Sequence, residues 1–171
     1  MKSSLTKTKL KKLLSAMDRS ALEALVLELY ESEAGKELLT LHFDADAEAE
    51  LLAGYEKKLR KVLAPANPER MSLDAADSIL AEVKRLSGAD SAVYARACLC
   101  AAELARDFTE CYGDMDEHFY DRLARYYGEA ARVAKGRPEL EAELRERFRN
   151  LNASFASMGW GMGSVVDPEL E

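Results

Sequence analysis

The stretch Asp90-Ser91-Ala92-Val93-Tyr94-Ala95-Arg96-Ala97-Cys98-Leu99-Cys100-Ala101-Ala102-Glu103-Leu104-Ala105-Arg106-Asp107-Phe108-Thr109-Glu110-Cys111-Tyr112 decides the fold. Small apolar residues run nearly all round it at helical spacing, and a helix that is apolar on every face is normally surrounded by others. It is therefore expected at the centre of the molecule, with Gly113 ending it. On both sides the pattern stays helical, and nowhere do four or more residues alternate convincingly as a half-buried strand. The expected fold class is all-α, an antiparallel helical bundle or stacked α-hairpins of about seven helices around this Ala/Cys-rich helix.

Upstream, Thr6 can cap a first helix carrying Leu10, Leu13, Leu14 and Met17, with Leu5 and Leu10 placed as a hydrophobic staple. Asp18 recaps a second helix with Leu22, Leu25, Val26 and Leu29. After Gly35 a shorter apolar run, Leu38, Leu39, Leu41 and Phe43, ends before an acidic turn at Asp44 to Asp46. A third helix with Leu52, Tyr55, Leu59 and Val62 stops at Pro65 and Pro68, since proline lacks the amide donor. Ser72 can cap a fourth, closed by Gly88.

Downstream, Asp114 with Glu117 three residues on fits a capping box for a sixth helix bearing Phe119, Leu123, Tyr126, Tyr127 and Val133. Gly136 and Pro138 separate it from a seventh, whose stripe is Leu140, Leu144, Phe148, Leu151, Phe155 and Met158. Residues 1–158 thus read as the helical body of one domain. The tail from Gly159 to Glu171, glycine-rich and then acidic, reads as loosely ordered.

The 171 residues suffice for one core. With 24 Lys and Arg against 31 Asp and Glu, a net charge of −7 and 48% hydrophobic residues, the composition excludes a mainly disordered chain and a basic nucleic-acid binder of the usual kind. No apolar stretch approaches the ~20 residues of a membrane span, and no signal-peptide core follows the lysine-rich start. A cytoplasmic location is expected. Cys98, Cys100 and Cys111 are an odd count within one helix. Cys98 and Cys100 point about 200° apart, and Cys100 lies about 16 Å along the axis from Cys111, against the ~6 Å between the Cα atoms of a disulfide. They read as buried, reduced, small apolar side chains.

Charge is unevenly placed. The first twelve residues hold five lysines (Lys2, Lys7, Lys9, Lys11 and Lys12) and no acid, whereas residues 20–56 hold ten acids and one base, Lys36. Lys7 and Lys9 in a first helical turn are disfavoured by the helix dipole, so helix stability does not explain them. Pairing with the acidic second helix through Glu23, Glu28 and Glu31 is one explanation; RNA or an anionic membrane surface is another.

The densest polar run is Tyr112 to Asp121. Asp114 and Asp121 stand four before and three after His118, so on one helical face the three can hold a metal or tune an imidazole, with Asp116, Tyr112 and Tyr120 beside them. Capping and the helix dipole explain Asp114 and Glu117 equally well. The only other histidine is His42, and neither completes a Glu-x-x-His motif, since Leu39 and Met115 stand three residues before them. No zinc, phosphate-loop or nucleophile-elbow motif occurs, so no cofactor is implied. Trp160, flanked by Gly159 and Gly161, either packs back on the core or anchors in a partner's pocket.

Leu5-Thr6-Lys7-Thr8-Lys9-Leu10-Lys11-Lys12-Leu13-Leu14, Lys84-Arg85-Leu86-Ser87-Gly88, the block from Phe108-Thr109 through Tyr112-Gly113-Asp114 to Tyr120, and Gly159-Trp160-Gly161 together resemble a group of small bacterial proteins that carries a domain-of-unknown-function label. The resemblance spans most of the chain and implies an all-helical fold with no assigned activity. From Glu31 to Phe43 this chain is shorter and more acidic than that pattern. The absence of catalytic and cofactor signatures, together with candidate contact surfaces at the lysine-rich first helix and Trp160, gives the expectation of a non-enzymatic interaction or adaptor module with a protein partner, as monomer or homodimer. The alternatives are a small-ligand or metal-binding protein, or a hydrolase, using residues 112–120, and RNA or membrane-surface association through Lys7, Lys9, Lys11 and Lys12.

Overall fold

A computed structural model describes residues 5–167 and Leu170, the side chains at 34, 37, 41–43 and 45 excepted. Lys2, the side chains of Leu41, His42 and Phe43, and the acidic residues Glu169 and Glu171 lie outside the described residues. Among the described residues eight α-helices follow one another: α1 Lys7–Leu14, α2 Arg19–Tyr30, α3 Glu33–Phe43, α4 Ala45–Leu63, α5 Leu73–Ser87, α6 Ala92–Tyr112, α7 Glu117–Ala134 and α8 Pro138–Phe155. Short 3-10 turns at Pro68–Arg70 and Met162–Ser164 complete the order, and no strand occurs among the described residues. The fold is all-α. No described helix is long and apolar enough to cross a membrane.

The helices group into two compact units, Met1–Asp44 and Ala45–Glu171. In the larger, α6 runs through the middle and packs on α4, α5, α7 and α8. Its alanines make that possible: Ala95, Ala97, Ala101 and Ala102 are fully buried, and side chains of one carbon let neighbouring helices approach from every direction. Larger residues fill the layer around it, with Tyr127 set edge-on against Phe148 and Phe155 at ring distances of 5.4 and 5.3 Å. The caps are largely where local chemistry requires them. Thr6, Asp18, Ser72 and Ser91 each accept a hydrogen bond from the backbone amide three residues on, and Gly88 and Gly113 close α5 and α6 at positive φ.

Three expectations need correction. The run after Gly35 is a full helix, α3, capped by Ser32, and Gly35 lies inside its first turn. This glycine does not break the helix. It admits close approach, because a Cβ there would collide with the Leu29 carbonyl at the end of α2. The acidic turn reduces to Asp44, with Asp46 already in the first turn of α4. The tail is built in as well: Met162 and Leu170 are buried, the Asp167 amide donates to the Tyr127 hydroxyl at 3.2 Å, and that hydroxyl donates to Asn152 Oδ1 at 2.7 Å.

In the smaller unit, α2 lies against α3, and no side chain of α1 or α2 is buried. Leu10, Leu13, Val26, Leu27, Leu29, Tyr30 and Leu38 are all exposed, as is Leu5 ahead of α1.

Candidate functional site

The residues singled out between 112 and 121 divide into two sets. Asp116, not Asp114, caps α7, its carboxylate accepting from the Phe119 amide at 2.9 Å. Both aspartates offer the same chemistry, and a cap at 116 starts the helix so that Phe119 and Tyr120 enter the core. Asp114 is thereby released for a different task. Its Oδ1 accepts from the Tyr120 hydroxyl at 2.6 Å, and both carboxylate oxygens accept from the Trp160 indole N–H, at 3.1 and 3.3 Å. The Trp160 ring stacks on Tyr120 with 6.1 Å between centroids and 17° between planes. Trp160 itself sits at φ 57°, a left-handed conformation rare for a bulky residue, and Gly161 follows at φ 75°. The two together turn the chain so that the indole lies back over Tyr120, one face covered and half of it still exposed.

Electrostatics make this a latch and not an acid–base pair. The hydrogen bond from Tyr120, joined by that from Trp160, holds the Asp114 carboxyl below the usual carboxylate range. Burial, reinforced by the neighbouring carboxylate, pushes the Tyr120 phenol up. The proton stays on the phenol, and a carboxylate held by two side-chain donors is a weaker base than a free one.

His118 and Asp121 do not join this cluster. Both are exposed, and no hydrogen bond or ion pair links either to Asp114. His118 instead borders a shallow groove of about 340 Å³ with Met71, Asp74 and Arg122, where Arg122 is paired with Asp74 at 2.6 Å. Among the described residues no three His, Cys, Asp or Glu side chains come together to hold a metal ion. Tyr112 is exposed and tilted against Phe108 at 4.7 Å.

The cysteines also divide. Cys98 and Cys100 are buried, and burial pushes each thiol up to about 12, where it is inert. Cys111 is exposed, contrary to expectation, because it lies on the solvent side of the last turn of α6.

The four lysines of α1, Lys7, Lys9, Lys11 and Lys12, are exposed and make no ion pair among the described residues; the pairing expected with Glu23, Glu28 and Glu31 does not form. Glu23 pairs within its own helix with Arg19, at 2.8 Å.

Two features were not singled out in the sequence. Between α5, α6 and α7 a cavity of about 230 Å³ is lined by Asp77, Lys84, Tyr94, Cys98, Tyr126 and Glu129. Its charges are internally matched: Tyr126 donates to Asp77 at 2.6 Å, and Glu129 meets Lys84 at 3.5 Å and Arg132 at 3.3 Å. A signal for it existed in the i, i+3 spacing of Tyr126 and Glu129, but their partners lie on other helices. The second is a groove of about 580 Å³ at the end of α4, lined by Lys57, Arg60, Lys61 and Arg70 with no carboxylate. The i, i+3, i+4 spacing of Lys57, Arg60 and Lys61 was the readable signal.

Comparison of the chain with protein families, with curated proteins and with solved structures finds no match.

Proposed function

We propose that this chain is a non-enzymatic protein-interaction module, and that its contact surface is formed by the exposed apolar side chains of α1–α3, covered by a second copy of the chain. One observation carries the reading. Among the described residues ten large apolar side chains are exposed, and eight of them fall between Leu5 and Leu38, the others being Tyr112 and Trp160. Apolar surface concentrated in this way marks an interaction site, whereas scattered exposed leucines need no explanation.

Charge selects the occupant. Lys7, Lys9, Lys11 and Lys12 on α1 are unpaired, and so are Glu28, Glu31 and Glu33 at the α2–α3 junction, among the described residues. A two-fold contact is self-complementary, so it sets the basic α1 of one copy against the acidic junction of the other, with leucines between. The Asp114 latch supports the non-enzymatic part of the reading, because its carboxylate is occupied by Tyr120 and Trp160.

Sedimentation equilibrium over a wide concentration range tests this. The native chain is expected to form a dimer that weakens as salt rises, and Leu10→Ser/Leu13→Ser/Leu27→Ser is expected to stay monomeric with unchanged helix content. A native chain monomeric throughout, or a triple variant that dimerises equally well, overturns the proposal.

A further inference from the structure

Most cations of the larger unit have partners. Arg96 bridges Glu48 and Glu143 at 2.8 and 2.7 Å, Arg147 forks onto Glu103, Arg122 meets Asp74, and Arg132 meets Asp90. Lys57, Arg60, Lys61 and Arg70 differ. None makes an ion pair among the described residues, and the four line a single groove where α4 ends and the Pro68–Arg70 turn begins. In a chain of net charge −7, four uncompensated cations facing one space are not a solvated average of the surface. The negative end of the helix dipole explains Arg60 and Lys61 in the last turn of α4. It does not explain Lys57, a turn earlier, or Arg70, which the chain delivers only after Pro65 and Pro68.

The rest of the lining points the same way. Asn67 uses its side-chain oxygen to accept from the Glu69 amide at 3.1 Å, which leaves its amino group as a further donor. Ala64, Pro65 and Ala66 supply an apolar wall. Glu56, one turn back from Arg60 on α4, neither lines the groove nor pairs with that arginine. The side chains of the groove therefore offer charged and neutral donors against no carboxylate, a match for a ligand whose polar atoms are all acceptors.

We propose that this groove binds a small ligand carrying two or more phosphate groups. The volume is that of a small-molecule site. The cations sit within about one helical turn plus the facing 3-10 turn, which suits phosphates joined in one molecule. A long nucleic acid is disfavoured, because the chain as a whole carries a net charge of −7. This proposal is independent of the contact assigned to α1–α3.

Isothermal titration calorimetry of the full chain with inorganic tripolyphosphate, and separately with ATP, is the test. One saturable site is expected, weakened at least about tenfold in Arg60→Gln/Arg70→Gln, since charge-assisted hydrogen bonds are lost. Arg60→Lys/Arg70→Lys is expected to keep most of the affinity, and circular dichroism is expected to show both variants folded, as the side chains are exposed. Lys7→Gln/Lys9→Gln/Lys11→Gln/Lys12→Gln is expected to bind like the native chain. Tighter binding of ATP than of tripolyphosphate places the nucleoside on the Ala64–Ala66 wall, and equal binding assigns recognition to the phosphates alone. No saturable binding, an equal loss in the four-lysine variant, or binding of single-stranded RNA that tripolyphosphate does not displace overturns the proposal.

Discussion

Helices α2 and α6 are both rich in apolar residues, yet no side chain of α2 is buried, whereas thirteen residues of α6 are. The difference lies in side-chain size and in what surrounds the helix. Around α6 the alanines and cysteines leave room for four neighbours at once. In α2 the run Leu25-Val26-Leu27 spreads large side chains around the axis, and α3 covers only part of it. Leu25 is half-buried, while Leu27, about 200° further round, is 66% exposed. Hydrophobic content marks a segment that needs a partner; only the neighbours show whether the chain already supplies one.

That contrast can be broken most forcefully at its buried end. Leu99→Ala removes a fully buried side chain of α6 and is expected to cost about 2–5 kcal/mol in urea unfolding. Leu27→Ala removes the most exposed leucine of α2 and is expected to change the same measurement by less than about 0.5 kcal/mol in dilute solution. Comparable losses at the two sites would contradict the exposure of α2.

A smaller effect reports on the latch. Asp114 is held below its ordinary value of 3.8 chiefly by the Tyr120 hydrogen bond, so the stabilisation from this ionised carboxylate is present above that value. It is lost as pH falls through the lower, folded value. Trp160 is the single tryptophan of the chain, and its fluorescence is expected to change with a midpoint below 3.8. Asp114→Asn is expected to abolish the transition. A midpoint at or above 3.8 would mean that the carboxylate is not held by these donors.

The least perturbing experiment uses the cysteines. A disulfide thiol reagent at neutral pH is expected to label Cys111 in the native protein and to reach Cys98 and Cys100 only on unfolding, because those two are buried and their thiols are raised to about 12. Rapid labelling of all three would place solvent beside α6.

Much of the fold was legible because its signals are local. Thr6, Asp18 and Ser72 cap helices through side chains that reach only three residues ahead, and Pro65, Gly88 and Gly113 act on their own backbone. The central place of α6 was legible from residue size alone. Gly35 misled because its small size serves a contact with Leu29 on the preceding helix, which looks the same in sequence as a helix break. At the candidate site, the right residues were in view but their roles were not. Asp114 finds its partner Trp160 forty-six residues away, and nothing local separates a cap at 114 from one at 116. The basic groove was only partly legible, from Lys57, Arg60 and Lys61, because Arg70 reaches it only after Pro65 and Pro68 turn the chain.

Hydrogen–deuterium exchange at low and high protein concentration tests the central claim most directly, since it reads both regions in one sample. Protection of amides in α2 and α3 is expected to rise with concentration, as a second copy covers the exposed leucines, while α6 is expected to stay strongly and equally protected throughout. Protection of α2 and α3 that is independent of concentration, or a rise confined to α6–α8, would contradict the assignment of the contact surface to α1–α3.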